Sequence, residues 1–177
     1  MHGLDAWKKV YQDNYDKIIF LGDYVDSYDL EDKTILRNFI KVIEFRLKYP
    51  EKVILLTDNH EVGYLNSKYR CMGYRPEIEG DIKALLQENG SIFRVAWQYG
   101  NHLWMHTGIN QPYFDRYIRD KVSPAAGASL ASTLNNLYAE KYDPLFEIGK
   151  ERGSDRKAIG GPFLLHRTIL AAASLKG

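Results

Sequence analysis

Side chains suited to metal binding and proton transfer are concentrated in two clusters in the first third of the chain. Asp23 and Asp26 supply carboxylates in the first cluster, whereas Asn59 and His60 supply an amide oxygen and an imidazole in the second. Mixed oxygen and nitrogen donors of this kind suit manganese, iron, zinc or magnesium. One aspartate can bridge two cations about 3.5–4 Å apart, and a water held between them becomes a hydroxide near neutral pH. We therefore expect a two-metal hydrolytic site in which Asp23 is the bridging ligand.

The elements that must position these clusters are visible as apolar patterns. Aliphatic runs at 17–22 and 53–56 predict two strands, and each run ends at one of the polar clusters. The segment 33–49 between them predicts a helix because apolar residues recur there at helical spacing: Leu36, Ile40, Ile43 and Leu47. A strand, helix and strand form a parallel unit, and open parallel sheets bind ligands beyond the carboxyl ends of their strands. Both clusters are expected on loops at that edge.

The rest of the chain predicts a hairpin followed by helices. A short helix is expected near 82–87, and two β-rich runs at 92–98 and 102–106 predict a β-hairpin. From position 111 onward the pattern is mostly helical, with an exposed polar loop at 152–157. The expected fold class is therefore α/β.

Composition limits the classes of function. The chain has 177 residues, of which 45% are hydrophobic, and we expect a single domain spanning 1–177. Its net charge of +1 gives no case for a broad nucleic-acid surface. No apolar run reaches the roughly 18 residues of a membrane span, and the lone Cys71, read as a buried or idle thiol, fits a reducing compartment. The sequence predicts a cytoplasmic protein with no membrane partner.

Three further histidines are candidate metal ligands: His106, His102 and His166. His106 ends the second β-rich run and precedes a glycine, so its imidazole is a candidate for the same edge of the sheet. His102 and His166 are read as structural residues. A lone Gly-Asp or Asn-His after a strand is more often a turn. Two mixed clusters on consecutive parallel strands are what favour a metal site.

Three short segments resemble one known family. "GDYVDS", "TDNHE" and "MHTGI" resemble the calcineurin-like metallophosphoesterases, in the serine/threonine phosphatase-like branch that also contains bacterial diadenosine tetraphosphatases. The resemblance extends from His2 to about Arg167. It implies a two-sheet metallophosphoesterase core flanked by helices, incomplete at the termini, with a helical insertion or cap at about 111–158.

The resemblance also implies a set of metal ligands. His2 and Asp23 would bind the first metal, and Asp23, Asn59 and His106 would bind the second. Two divalent ions are implied, with Mn²⁺ as the first choice and Fe, Zn or Mg as alternatives. The same resemblance implies cleavage of a phosphate ester or anhydride by a metal-bridging hydroxide.

The catalytic roles implied by the resemblance fall on three other residues. His60 would be the general acid that protonates the leaving oxygen, and Asp26 would orient its ring. Arg167 matches a phosphate-binding arginine loosely. The implied substrates are a phosphoprotein, a nucleotide or a dinucleoside polyphosphate.

Several positions depart from the family pattern. Asp58 stands where the family has glycine, which predicts either a different turn or an aspartate with positive φ. Ser27 stands where protein phosphatases carry an arginine. The leading aspartate of the pattern would precede Met1, and no histidine follows His166 to supply the late ligand. We expect a truncated copy of an active enzyme rather than a natural fragment with an impaired site, since no ligand is substituted internally.

The sequence is also compatible with a second class of function. A non-catalytic interaction protein could use the same scaffold with an incomplete metal site, and thirteen tyrosines would suit a contact surface. An exposed sheet edge would in either case favour self-association into homo-oligomers.

Overall fold

The computed structural model describes residues 15–122, 129–147 and 160–163. The chain divides into two compact units, with the boundary between Arg94 and Val95. The predictions for His2, the loop at 152–157, His166 and Arg167 lie outside the described residues. The single-domain prediction stays a prediction.

The first unit is built on a parallel three-stranded sheet. Its strands are β1 (Ile18–Phe20), β2 (Val53–Leu56) and β3 (Phe93–Arg94), in the order β1-β2-β3. Ile18 lies opposite Val53, and Leu55 lies opposite Phe93. All four residues of β2 are buried, as a central strand covered on both faces requires. The predicted parallel pairing of the two aliphatic runs is confirmed, so their carboxyl ends lie at one edge.

The crossover helix α1 (Asp32–Lys48) matches the predicted segment. The prediction of which apolar residues face the core is wrong in part. Ile40 and Leu47 are 40% and 55% exposed. The buried residues of the helix are Ile35, Phe39, Val42, Ile43 and Phe45. The Phe39 ring stacks on Tyr24 at 5.9 Å and lies 6.0 Å from Phe93. Burying these large rings stabilises more than burying the aliphatic stripe beside them, and this sets the rotation of the helix.

Two further helices complete the first unit. Helix α2 (Asn59–Leu65) follows β2 after two residues, and helix α3 (Glu79–Glu88) contains the helix predicted near 82–87. Short 3₁₀ turns lie between α2 and α3 and after α3, at Ser67–Tyr69, Pro76–Ile78 and Gly90–Ile92. Ile82 and Leu86 of α3 are buried in the same core as α1 and the sheet. The sheet, α1 and α3 thus share one continuous apolar core, which supports the strand ends.

The predicted hairpin is present but begins later than expected. The run at 92–98 is divided: Phe93–Arg94 belongs to the parallel sheet, and only β4 (Ala96–Tyr99) pairs with β5 (His102–Met105) in an antiparallel sheet. Both pieces are β-rich, so their pattern does not reveal that the pairing partner changes at Val95. The α/β class with two small sheets is observed.

The second unit continues with helical segments. Helix α4 (Leu130–Ala139) is capped by Ser129, whose hydroxyl accepts from the Ser132 amide. The side-chain amide of Asn135 in this helix donates to the Ala96 carbonyl of β4. Shorter helical pieces are Gln111–Tyr113, Phe114–Ile118, Arg119–Lys121 and Asp143–Phe146. Across the described ranges, no helix is both long enough and apolar enough to cross a membrane.

Candidate active site at the strand ends

The turn after β1 has an unusual backbone. Gly22, Asp23 and Asp26 have φ values of 99°, 59° and 64°, in the left-handed region that glycine and aspartate tolerate best. A Cβ on Gly22 would lie 2.7 Å from an oxygen of Asp58, so only glycine fits there. The Asp23 amide donates to the same Asp58 carboxylate. The first cluster is therefore held directly against the second, and positive φ at two aspartates marks the turn as a candidate site.

The second cluster begins a helix, which corrects its predicted place on a loop. Asp58 is the N-cap of α2, and one of its oxygens accepts from the amides of His60 at 2.8 Å and Glu61 at 3.2 Å. The Glu61 carboxylate accepts from the Asp58 amide at 3.1 Å, which completes a capping box. Asp58 has a φ of −134°, so the alternative of an aspartate with positive φ is wrong at this position. Asn59 and His60 are consequently presented by the first turn of a helix.

The buried Glu61 side chain connects the two clusters through hydrogen bonds. It is fully buried, and its other oxygen accepts from the Tyr24 amide at 3.0 Å. Burial, followed by the nearby Asp58 carboxylate, raises the pKa of Glu61 well above its usual value. Sequence reasoning did not single out this residue, although the Asp-x-x-Glu spacing at 58–61 is a capping-box signal.

Replacing Glu61 with alanine is expected to lower the free energy of unfolding by about 3–5 kcal/mol. The substitution leaves the Tyr24 and Asp58 amides without an acceptor, and each buried unsatisfied group costs about 1–3 kcal/mol, besides the cavity. Urea unfolding followed by circular dichroism measures the loss. Glu88→Ala, at an exposed position, is the matched control. A loss below about 1 kcal/mol for Glu61→Ala would contradict this role.

The His60 ring lies between two aspartates of the first cluster. Its Nδ1 lies 2.9 Å from an oxygen of Asp26, and its Nε2 lies 3.6 Å from an oxygen of Asp23. The Asp26 side chain is 2% exposed, whereas that of Asp23 is 49% exposed. Burial lowers the pKa of His60, but the hydrogen bond that Asp26 accepts and the charges of the surrounding aspartates outweigh it, so the pKa is raised overall. One ring nitrogen therefore lies on the buried Asp26 carboxylate, and the other lies on the side of the exposed Asp23.

Asn59 is buried beside a thiol. The nitrogen of its side-chain amide lies 3.0 Å from the Cys71 sulfur. The Cys71 thiol in turn lies 3.4 Å from the backbone carbonyl oxygen of Asn59. With the nitrogen on Cys71, the side-chain atom that Asn59 can offer a cation is its oxygen. Cys71, predicted to be an idle thiol, thus contacts a candidate metal ligand. The two residues are 12 positions apart, and nothing in the sequence pattern pairs them.

The donor chemistry of the first unit fits a divalent cation. Asp23 keeps its carboxylate largely exposed, and Asn59 supplies a neutral oxygen. Asp58 is less suited as a ligand, because its two oxygens accept three backbone N–H bonds within the turn. His106 directly follows β5 in the second unit, and its ligand role stays a prediction.

The loop between Asp26 and α1 is fastened by an arginine that the sequence analysis missed. The Arg75 guanidinium donates to the Ser27 carbonyl, to the Leu30 carbonyl at 3.4 Å and to Asp32 at 3.3 Å. Ser27 is buried, and its hydroxyl accepts from the Asp29 amide. The residue that stands in place of the phosphatase arginine therefore helps to form this turn.

Comparison with known proteins gives partial matches to phosphatases. The chain is 29% identical over 101 residues to a serine/threonine-protein phosphatase of Caenorhabditis elegans, which covers 52% of this chain and 21% of the relative. It is 26% and 27% identical over 100 residues to the serine/threonine-protein phosphatase 4 catalytic subunits of Kluyveromyces lactis and Saccharomyces cerevisiae. Those matches cover 55% of the chain and 28% of each relative. No family model and no solved structure matches the chain.

The matched part thus spans between a fifth and a third of the length of these curated relatives. The predicted resemblance to phosphatases is supported at this coarse level, by distant similarity over about half of the chain. Membership of the calcineurin-like metallophosphoesterases stays a prediction. Over that part, the chain is similar to serine/threonine-protein phosphatases.

Proposed function

We propose that this chain hydrolyses phosphate esters with the help of divalent metal ions bound at the ends of β1 and β2. One observation carries the proposal: the His60 imidazole lies between a buried carboxylate, Asp26, and an exposed one, Asp23. The distant similarity to serine/threonine-protein phosphatases supports the same reaction class. A dinuclear centre with Mn²⁺, and its ligands His2, Asp23, Asn59 and His106, is part of the proposal.

Different residues would bind the cations and the phosphate group. Asp23 and the Asn59 oxygen would hold the cations, which when bound neutralise phosphate charge and lower the pKa of a coordinated water. A neutral amide ligand keeps the site from becoming too negative to accept a phosphate. Arg167 would bind the phosphate group through its guanidinium.

His60 would act as the general acid. Its Nδ1–H donates to Asp26, which leaves Nε2 facing the exposed side where a leaving oxygen would depart. Burial lowers the pKa of His60, but the neighbouring carboxylates outweigh it and raise the pKa overall, which favours the protonated ring that a general acid needs. Asp26 would set the orientation of the ring.

The substrate class we favour is a phosphoprotein. The relatives are named protein phosphatases, and the proposal extends that activity to this chain. The departure at Ser27, which removes the arginine expected of protein phosphatases, keeps nucleotides and dinucleoside polyphosphates as alternatives. Parallel assays on a phosphoserine peptide and a dinucleoside polyphosphate separate these classes.

Hydrolysis of p-nitrophenyl phosphate tests the proposed reaction. The purified chain is stripped of metal with a chelator, dialysed, and assayed with and without added Mn²⁺. We expect turnover that requires Mn²⁺ and disappears again when chelator is added. Absence of Mn²⁺-dependent turnover would contradict the proposal and favour the rival, an interaction protein that uses the same scaffold without catalysis.

A further inference from the structure

The helix that presents His60 also presents a buried tyrosine to the same aspartate. His60 and Tyr64 are four positions apart on α2, so their side chains lie on one face of the helix. His60 binds one oxygen of Asp26 at 2.9 Å, and the Tyr64 hydroxyl binds the other oxygen. Both oxygens of the carboxylate are therefore held by residues one helical turn apart.

The direction of the tyrosine hydrogen bond is fixed by a third group. The Arg75 backbone amide lies 3.0 Å from the Tyr64 oxygen and can only donate to it. The phenolic hydrogen is consequently left for Asp26, which accepts it. Burial, with a smaller contribution from Asp26, raises the pKa of Tyr64, so the hydroxyl stays neutral and remains a donor.

The surroundings leave Asp26 little freedom to turn. Its side chain is 2% exposed, and a Cβ on Gly73 would lie 3.2 Å from the Asp26 Cβ, so the chain passes close behind it. The Tyr64 ring is itself 2% exposed and packs on the Tyr74 ring at 4.9 Å. A carboxylate held at both oxygens cannot rotate without losing one of its hydrogen bonds.

We propose that Tyr64 is a positioning residue for proton transfer: its hydroxyl fixes the Asp26 carboxylate, which in turn fixes the His60 ring. The inference rests on the proposed function, because it assigns a task within that reaction. Among the described residues, the partners of the Tyr64 hydroxyl are Asp26 and the Arg75 amide, so the hydroxyl acts on His60 only through Asp26. Losing its hydroxyl should therefore affect reactions that need a proton from His60 and spare those that do not.

A buried tyrosine hydroxyl needs a partner whatever its role, so the test requires a matched control. Tyr24 provides it: this residue of the same unit is also buried, and its hydroxyl donates to the Leu56 carbonyl at 2.8 Å rather than to Asp26. Tyr24→Phe removes a buried hydroxyl hydrogen bond as Tyr64→Phe does. Any effect of lost stability alone should appear in both variants.

The two variants are compared on substrates that differ in their leaving group. Glycerol phosphate releases an alkoxide that needs a proton, whereas p-nitrophenolate leaves without one. We expect Tyr64→Phe to lower kcat about tenfold for glycerol phosphate, the typical worth of one hydrogen bond, and less than about twofold for p-nitrophenyl phosphate. Tyr24→Phe should leave the ratio of the two rates unchanged. An equal loss on both substrates in Tyr64→Phe would overturn the inference.

A second measurement does not depend on turnover. The Nδ1–H proton of His60, hydrogen-bonded to a buried carboxylate, should give a downfield NMR signal in the metal-free chain, assigned by its loss in His60→Asn. We expect Tyr64→Phe to shift or broaden this signal and Tyr24→Phe to preserve it. An unchanged signal in Tyr64→Phe would overturn the positioning role. If the wild-type chain hydrolyses neither substrate, the proposed function fails while the NMR result still decides the positioning.

Discussion

Replacing His60 with asparagine is expected to lower kcat for glycerol phosphate by about 10²–10⁴-fold, the usual contribution of a positioned general acid. The side chain of asparagine cannot deliver a proton to the leaving alkoxide. The structure gives the reason for the choice of residue: Nδ1 is bound to Asp26 at 2.9 Å, so the ring presents Nε2 to the exposed side of the site. Steady-state kinetics with saturating Mn²⁺ measures the effect.

The substrate dependence of His60→Asn separates proton donation from metal binding. For p-nitrophenyl phosphate the loss should be much smaller, because its leaving group needs no proton. Mn²⁺ affinity should change little, since His60 is not among the proposed ligands. His102→Asn, which changes an exposed histidine of the second unit, is the matched control. Equal losses on both substrates, together with a loss of Mn²⁺, would contradict the general-acid role.

Replacing Asp23 with asparagine is expected to weaken Mn²⁺ binding by more than about 100-fold and to remove turnover. Residues that merely support a metal ligand are worth about 10–100-fold in affinity, and Asp23 is proposed as the ligand shared by both ions. The substitution keeps the backbone amide that donates to Asp58, so the turn should persist. Isothermal titration calorimetry on the chelator-treated chain measures the affinity.

A neighbouring aspartate gives the control for Asp23→Asn. Asp29 lies in the same loop and is exposed, so Asp29→Asn makes the same change in charge six residues away. Its Mn²⁺ affinity should stay within about twofold of the wild type, because exposed charges in water interact weakly. An Asp23→Asn chain that still binds two Mn²⁺ would rule out Asp23 as the bridge.

The positions of the two polar clusters could be predicted because apolar residues recur at a different spacing in strands than in helices. The buried run at 53–56 and the helical segment at 33–49 define a parallel unit, and parallel strands bring their carboxyl ends to one edge. This rule predicts that Asp23, Asp26 and His60 lie close together. The structure shows the last two in direct hydrogen bond.

Other features depend on tertiary packing, which cannot be predicted from local sequence patterns. The rotation of α1 was mispredicted because two apolar stripes compete, and the choice depends on how Phe39 meets Tyr24. The contact between Cys71 and Asn59 joins a loop to the first turn of α2. The hydrogen bond from Tyr64 to Asp26 spans 38 residues, so the helical spacing from His60 to Tyr64 gave no hint of their shared partner.

The most direct test of the central claim is anomalous diffraction from crystals of the chain grown with Mn²⁺. The account predicts anomalous peaks at the ends of β1 and β2, within bonding distance of an Asp23 carboxylate oxygen and the Asn59 side-chain oxygen. Mn²⁺ bound only elsewhere, or no peak beside Asp23 at saturating Mn²⁺, would contradict a metal-dependent site at these strand ends.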